Sequence, residues 1–266
     1  MAVPLPMSTP LPVLPSFRLD GRRALVAGAG RGLGAAAAVA LAEAGAHVTL
    51  AARSRDELEA LAASIRERNG GVYGGCDVLV LDVTDSAAVT FEIAARGPFD
   101  VLVNSAGTNR PALLTDTSDK DIDDVFNLNV KAAFYLAREV ARGLIAAKRP
   151  GSLITLSSQM GHVGSARRTV YCASKHAVEG MTKALAWELG PHGIRVNTIC
   201  PTFISTPLTA PMLAQPEFMA MVLGKIALGR IGRIDEIMGA VVFLASDASS
   251  LMTGSALMLD GGWTAA

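Results

Sequence analysis

Arg23-Ala24-Leu25-Val26-Ala27-Gly28-Ala29-Gly30-Arg31-Gly32-Leu33-Gly34 is the stretch on which the fold turns. Its first five residues form a short apolar run of strand type. Closely spaced glycines follow, and then an alanine-rich segment with helical character over 33–44, stopped by Gly45. Glycine suits such a junction because the backbone must turn tightly, let a pyrophosphate come close, and pack a helix against a sheet. The helix that follows offers its first N–H groups to phosphate. A glycine-rich turn alone says little, since loops are glycine-rich anyway. Placed between a first strand and a first helix, it marks Gly28, Arg31, Gly32, Leu33 and Gly34 as candidate dinucleotide contacts.

The same alternation continues along the chain. Strands are predicted at 47–51, 78–81, 99–103, 152–156, 195–199 and 256–259. Helices are predicted at 55–68 (with Asn69-Gly70-Gly71 as a stop), from Asp85 to about 95, over 119–148, 171–189 and 235–245. Several strands are apolar on both faces, as they must be when helices cover both sides of a parallel sheet. The fold class is therefore α/β, a doubly wound Rossmann-like parallel sheet in a single domain. The domain is expected over 18–266, with 201–229 as its one long irregular insertion, and long loops in compact domains are usually functional.

Composition removes other classes. The chain has 266 residues, half of them hydrophobic, and 24 basic residues cancel 24 acidic ones. No net field favours nucleic acid or an anionic membrane, and so large an apolar content excludes general disorder. Cys76, Cys172 and Cys200 are far apart, with no CxxC and no Cys/His cluster in sequence, so neither a disulfide framework nor a metal site is expected, and a reducing cytoplasm fits best. Residues 1–17 are uncharged but interrupted by Pro4, Pro6, Pro10, Pro12 and Pro15, which makes a flexible tail and not a signal peptide. No uncharged stretch can cross a bilayer as a helix: the longest later one, 196–216, holds Pro201, Pro207, Pro211 and Pro216.

The chemistry is carried by Tyr171-Cys172-Ala173-Ser174-Lys175. On a helix, i and i+4 share a face, so Tyr171 and Lys175 project together. A tyrosine hydroxyl ordinarily titrates near pH 10, and a neighbouring ammonium favours the phenolate. A lone Tyr-x-x-x-Lys is equally a half-buried helix pair. Ser157-Ser158 ends the fifth strand and Asn104-Ser105-Ala106-Gly107 ends the fourth, both at the carboxyl edge where such sheets bind ligands; Asn129 lies one long helix before Ser158.

With Asp82-Val83, Arg195-Val196-Asn197 and Asp260-Gly261-Gly262 added, the chain resembles the short-chain dehydrogenase/reductase family, from Phe17 to Trp263. The resemblance implies a catalytic tetrad of Asn129, Ser158, Tyr171 and Lys175. In it Tyr171 exchanges a proton with the substrate oxygen while hydride passes between that carbon and a nicotinamide. Ser158 orients the carbonyl, Lys175 holds the nicotinamide ribose and lowers the tyrosine pKa, and Asn129 holds a relay water. It also implies cofactor contacts from Asp82, Val83, Asn104, Ala106, Gly107, Pro201, Ile204 and Thr206, besides Tyr171 and Lys175. The sequence departs from the family pattern at Ala27, Ser105 and Thr202, and 84–98 looks several residues short.

NAD-selective dehydrogenases usually place an acid at the end of the second strand. Here that strand ends Ala52-Arg53-Ser54, and Arg53, with Arg31, suits a 2′-phosphate. NADP(H) is the expected cofactor, with NAD(H) possible. The segment 201–229 carries Phe203, Leu208, Met212, Leu213, Phe218, Met219, Met221 and Leu223, a lid suited to an apolar or mixed substrate or else simply packing on the core. Asn109, Arg110, Gln159, Met160 and His162 follow the active-site strands; His162 reads as a loop residue, Cys172 as a packing residue, and Arg167-Arg168 as a solvated turn. The expected activity is oxidation of a secondary alcohol or reduction of a ketone. The alternatives are a 3-oxoacyl-carrier-protein reductase, with Arg138, Arg142, Arg167 and Arg168 as its docking face, and a catalytically silent nucleotide-binding regulator. A homotetramer is expected, built from the helices bearing Asn129 and Tyr171, with Trp263 at a subunit contact.

Overall fold

The structure, a computed structural model, describes residues 11–69, 74–207 and 209–265. Among these, seven parallel strands form one sheet in the order β3-β2-β1-β4-β5-β6-β7. They are β1 (Arg23–Ala27), β2 (His47–Ala52), β3 (Cys76–Val80), β4 (Val101–Asn104), β5 (Gly151–Leu156), β6 (Ile194–Pro201) and β7 (Ala256–Leu259). The order reverses between β1 and β4, which run side by side with Ala27 level with Asn104. That reversal opens a crevice beyond the carboxyl ends of the two strands.

Two apolar layers explain why the strands are hydrophobic on both faces. One face is covered by α1 (Gly32–Glu43), α2 (Arg55–Asn69) and α9 (Met238–Ala245), through Leu41, Leu58, Ile65, Val241 and Leu244 packed on Val26, Val48 and Ile154. The other is covered by α3 (Ser86–Arg96), α5 (Ala132–Ala147) and α6 (Thr169–Leu189), through Val89, Ile93, Leu136, Leu144 and Leu189 packed on Leu25, Leu102 and Leu153. The side chain of Asp85 caps α3 by accepting from the N–H groups of Ala87 and Ala88, each at 3.0 Å. That helix is 11 residues long, in keeping with the short 84–98 segment.

Several boundaries differ from the sequence expectation: β4 begins at Val101 and not at 99, β6 runs on to Pro201, and α6 begins at Thr169 and not at 171. β3 begins two residues earlier, because on this edge strand Asp77 points to solvent between Cys76 and Val78. The helix expected over 119–148 is α4 (Asp119–Phe126), a π-helical turn Asn127–Lys131, and α5. The helix expected from Asp235 begins as a 3-10 turn, Ile234–Ile237, held by Glu236 accepting from the Arg233 N–H at 2.7 Å. Residues 11–17 carry no helix or strand, with Phe17 set against Phe243 at 6.4 Å between ring centres. The rest of the expected tail, the Gly70-Gly71 stop and Leu208 lie outside the described residues. Within 201–229 sit α7 (Ala210–Leu213) and α8 (Pro216–Leu223).

Candidate active site

The turn after β1 is shaped by what it must approach. Gly28 at φ +77° and Gly32 at φ +59° take the left-handed conformation that side chains disfavour. A Cβ on Gly28 would lie 2.8 Å from the Ala106 nitrogen, and one on Gly34 would run into the Gly28 carbonyl. Arg31 opens α1 without a capping side chain, and no acid occupies the first turn, so the N-terminal N–H groups are left for an anion. Asn104 accepts from the Ala106 N–H at 3.1 Å, while its buried Nδ2 has no partner in the protein. A cradle free of side chains, an uncapped helix start and an orphaned amide donor are what a dinucleotide would complete.

Ala27 and Ser105 stand where the family has hydrogen-bonding side chains, and here the backbone joins the two loops, Ser105 N–H donating to the Ala27 carbonyl at 2.8 Å. Arg31 is exposed, its Nη1 3.6 Å from Glu57 Oε1. Arg53 is exposed on the same cleft. The N–H and hydroxyl of Thr84, at 2.9 and 2.7 Å, hold the Asp82 carboxyl below its usual range, and Arg53 adds to the effect. Val83 is buried behind it.

Next to this cradle the structure brings together the residues named for chemistry. Ser158 follows β5, and Tyr171 and Lys175 lie on adjoining turns of α6. Ser158 Oγ accepts from the Met160 N–H at 3.1 Å and donates to Gln159 Oε1 at 2.9 Å, beside the Tyr171 hydroxyl. Lys175 Nζ donates to the Leu156 carbonyl at 2.8 Å and lies 5.7 Å from the centre of the Tyr171 ring. Burial of this ammonium brings its pKa down to about 8. Burial pushes the Tyr171 phenol up, against the Ser158 hydrogen bond and the Arg168 charge, which pull it down. Arg168 is thus a second cation acting on Tyr171, beside the Lys175 ammonium. A solvated turn, the expectation for Arg168, would have screened that charge from the phenol.

Asn129 is buried in the π-helical turn, whose extra residue per turn aims its side chain between the fourth-strand loop and α6. Its Oδ1 accepts from the Thr108 N–H at 2.8 Å, and its Nδ2 donates to the Thr108 carbonyl and to Ser174 Oγ, both at 3.0 Å. A Cβ on Gly107 would come to 3.4 Å from that Oδ1 and 3.8 Å from Lys175 Nζ. The cleft also takes in Pro201, Ile204 and Thr206, with Thr206 Oγ1 3.1 Å from Thr209 Oγ1. The remaining motif residues are structural. Asn197 bridges β6 to the Met252 carbonyl and the Ser255 N–H, and Asp260 accepts from Gly262 and Thr264.

Several residues are not where the sequence reading put them. Arg168 is not in a solvated turn. Arg167, exposed at φ +62°, makes a left-handed reversal, and Arg168 is buried in the cleft with 7 % exposure. Arg138 and Arg142 are both drawn onto the buried Glu139, at 2.7 and 3.0 Å, so the four arginines form no common docking face. His162 has partners that sequence distance concealed. Its Nε2 lies 3.6 Å from both Glu179 Oε2 and Cys200 Sγ, and the three make a Cys/His/Glu cluster in space where none stands in sequence. The Cys200 thiol, its pKa raised to about 12 chiefly by burial, donates to Glu179 Oε1 at 3.3 Å, so the cluster is a hydrogen-bonded network with its thiol protonated. Trp263 packs on Phe203 of its own chain at 5.9 Å, under Lys225. Phe203, Leu213 and Val222 are buried in a third apolar cluster with Met160 and Cys172, so much of the 201–229 segment packs on the body of the protein.

No helix among the described residues is long and apolar enough to cross a membrane. Residues 28–264 match the family model described as enoyl-(acyl carrier protein) reductase. A D-erythrulose reductase of Gallus gallus is 38% identical over 249 residues, 94% of this chain and 98% of that protein. A 3-oxoacyl-acyl-carrier-protein reductase of Thermotoga maritima is 39% identical over 249 residues, 92% of this chain and 98% of that one. Among solved structures, a gluconate 5-dehydrogenase from Burkholderia cenocepacia, in complex with NADP and tartrate, superposes with a TM-score of 0.87 at 36% identity, over 95% of this chain and 99% of that one.

Proposed function

The chain belongs to the short-chain dehydrogenase/reductase family, whose members are oxidoreductases acting on CH–OH and C=O groups, and on that premise we propose that it interconverts a secondary alcohol and a ketone of sugar or polyol type with NADP(H). The observation that carries the reading is the meeting of Ser158, Tyr171 and Lys175 at the carboxyl end of β5 and the start of α6, against the glycine cradle of β1. A bound nicotinamide supplies or accepts the hydride. Gly28, Gly32, Leu33 and Gly34 leave room for the pyrophosphate and present N–H groups to it. Asn104, Ala106 and Gly107 line its path, as do Pro201, Ile204 and Thr206 on the opposite wall.

Ser158 hydrogen-bonds the substrate oxygen and fixes its direction toward Tyr171. The raised pKa leaves Tyr171 protonated at neutral pH, so in ketone reduction its hydroxyl delivers the proton to that oxygen. Lys175 holds the ribose and stabilises the phenolate that remains. Asn129 ties the Thr108 loop to α6, which fixes the height of Lys175 relative to Gly107. Arg53 and Arg31 take the 2′-phosphate, with NAD(H) as the weaker cofactor. Titrating NADPH and NADH separately into the protein tests the preference. Arg53→Asp is expected to weaken NADPH at least about tenfold more than NADH, from a lost charge-assisted pair plus repulsion. Tighter binding of NADH by the wild type contradicts the assignment.

Reduction of a carrier-bound acyl thioester is the weaker reading, because of the four arginines it needs Arg168 is turned inward and Arg138 and Arg142 share the Glu139 carboxylate, which leaves Arg167 alone unengaged by an acid at the surface. A silent regulator has no use for an assembled tetrad. Two further features belong to the proposal. Trp187 on α6, 87% exposed, and Phe134 on α5, 45% exposed, are covered by further copies of the chain in a homotetramer. The three buried free thiols suit the reducing cytoplasm.

A further inference from the structure

We propose that Arg168 selects the substrate, and that the substrate is an anion: a polyhydroxylated hydroxy or oxo acid whose carboxylate is seated on this guanidinium beside Tyr171. The inference rests on the reading of the cleft as an alcohol/ketone site and names the class of molecule that enters it.

Arg168 is the N-cap of α6, three residues before Tyr171, and both side chains line the same cleft. Although buried, its guanidinium has one side-chain hydrogen-bond partner, the thioether of Met212 at 3.1 Å from Nη2, and its Nη1 has none. Thioether sulfur is a weak acceptor, and a buried cation without a carboxylate is among the costlier arrangements a fold can hold. The molecule contains its own comparison. Arg195, also largely enclosed, spends its guanidinium on the Leu244 and Ser246 carbonyls and Ser249 Oγ, as a structural arginine does.

Nothing in the cleft neutralises Arg168. Of the acids lining it, Glu57 lies against Arg31, Asp82 is engaged by Thr84, and Asp124 is held by Lys120. A guanidinium fork matches a carboxylate bidentately, and an incoming carboxylate readily displaces a thioether. Four more polar atoms of residues lining the cleft lack partners, the Ser157 and Thr202 hydroxyls and two amide atoms, Gln159 Nε2 and Asn109 Oδ1. The first amide atom donates, the second accepts and the hydroxyls do either, which suits hydroxyl groups along the substrate chain. A neutral ketose would serve those positions but leave the cation alone.

The test compares kcat/KM with NADP+ for aldonates of graded chain length against the matched alditols. It uses wild type, Arg168→Gln, Arg168→Lys and Met212→Glu. The wild type is expected to favour the acids by about 100-fold, and Arg168→Gln to reduce that preference by a similar factor, as for loss of one partner of a buried charge pair. Arg168→Lys should restore part of it. Met212→Glu, which offers Arg168 a carboxylate from within, should lower the preference with the guanidinium still present. Preference of the wild type for neutral substrates, or an equal loss on both series in Arg168→Gln, overturns the inference and leaves the proposed function standing. Absence of turnover with either series counts against the proposed function. Calorimetric titration of an aldonate into NADP+-loaded protein then decides for Arg168: binding that Arg168→Gln loses upholds it, and no binding, or binding unchanged in the variant, overturns it.

Discussion

Lys175 shows how much of the site is held against its own stability. Its ammonium is buried, with one carbonyl as hydrogen-bond partner, and its pKa falls to about 8 from 10.5. The unfolded chain therefore binds this proton more tightly than the folded one between those values, and stability of the cofactor-free protein rises with pH across that window. Below about pH 8 the full penalty remains. Lys175→Met is expected to stabilise the free protein by roughly 2–4 kcal/mol at pH 7 and to gain progressively less toward pH 10, while abolishing turnover. Urea melts of both proteins at several pH values check the sign, and a variant less stable at pH 7 contradicts it. The residues bearing this chemistry were legible in sequence because Tyr171 and Lys175 are four apart on one helix. Arg168 was not, although it sits only three residues ahead of Tyr171. Its direction depends on the left-handed turn at Arg167, an arginine that gives no sequence signal for such a turn.

Among the elements, the strand–turn–helix from Arg23 to Glu43 was the most legible, because its glycines answer steric demands that the neighbouring loop imposes. Gly28→Ala should therefore act twice, through the positive φ and through the approach to Ala106. A loss of about 1–3 kcal/mol in stability is expected, with a larger loss of nucleotide affinity. Thermal melts with and without NADPH separate the two effects, and a variant that melts and binds like wild type contradicts the close approach. The segment 119–148 was less legible. Its apolar periodicity runs through without a break, yet a π-helical turn interrupts it at Asn127–Lys131. One inserted residue re-aims Asn129 without breaking the apolar stripe, and no glycine or proline marks the place. The partners of His162 were hidden for another reason: Glu179 and Cys200 come from α6 and β6, and strand order alone brings them together.

At the scale of the whole molecule, the alternation of strand and helix specified the sheet, and the strand reversal specified where the cleft lies. Subunit contacts leave a weaker trace, since helix periodicity does not separate Leu136, buried in the core, from Phe134, two residues away and exposed. Trp187 and Phe134 give the prediction here: light scattering should find about four times 27.6 kDa, and Trp187→Lys should shift the protein toward smaller species. A stable wild-type monomer at micromolar concentration contradicts it. The central claim, that this cleft passes a hydride between nicotinamide and a hydroxylated carbon with Tyr171 handling the proton, is tested most directly by isotope transfer. NADPH deuterated at C4, with each face labelled in turn, is incubated with ketose and oxo-acid substrates, and the alcohol product is weighed by mass spectrometry. The wild type should move deuterium from one face onto the product carbon, and Tyr171→Phe should do so about 10²–10⁴-fold more slowly while still binding NADPH. Alcohol formed without deuterium from either face, or at an undiminished rate by Tyr171→Phe, would contradict the account.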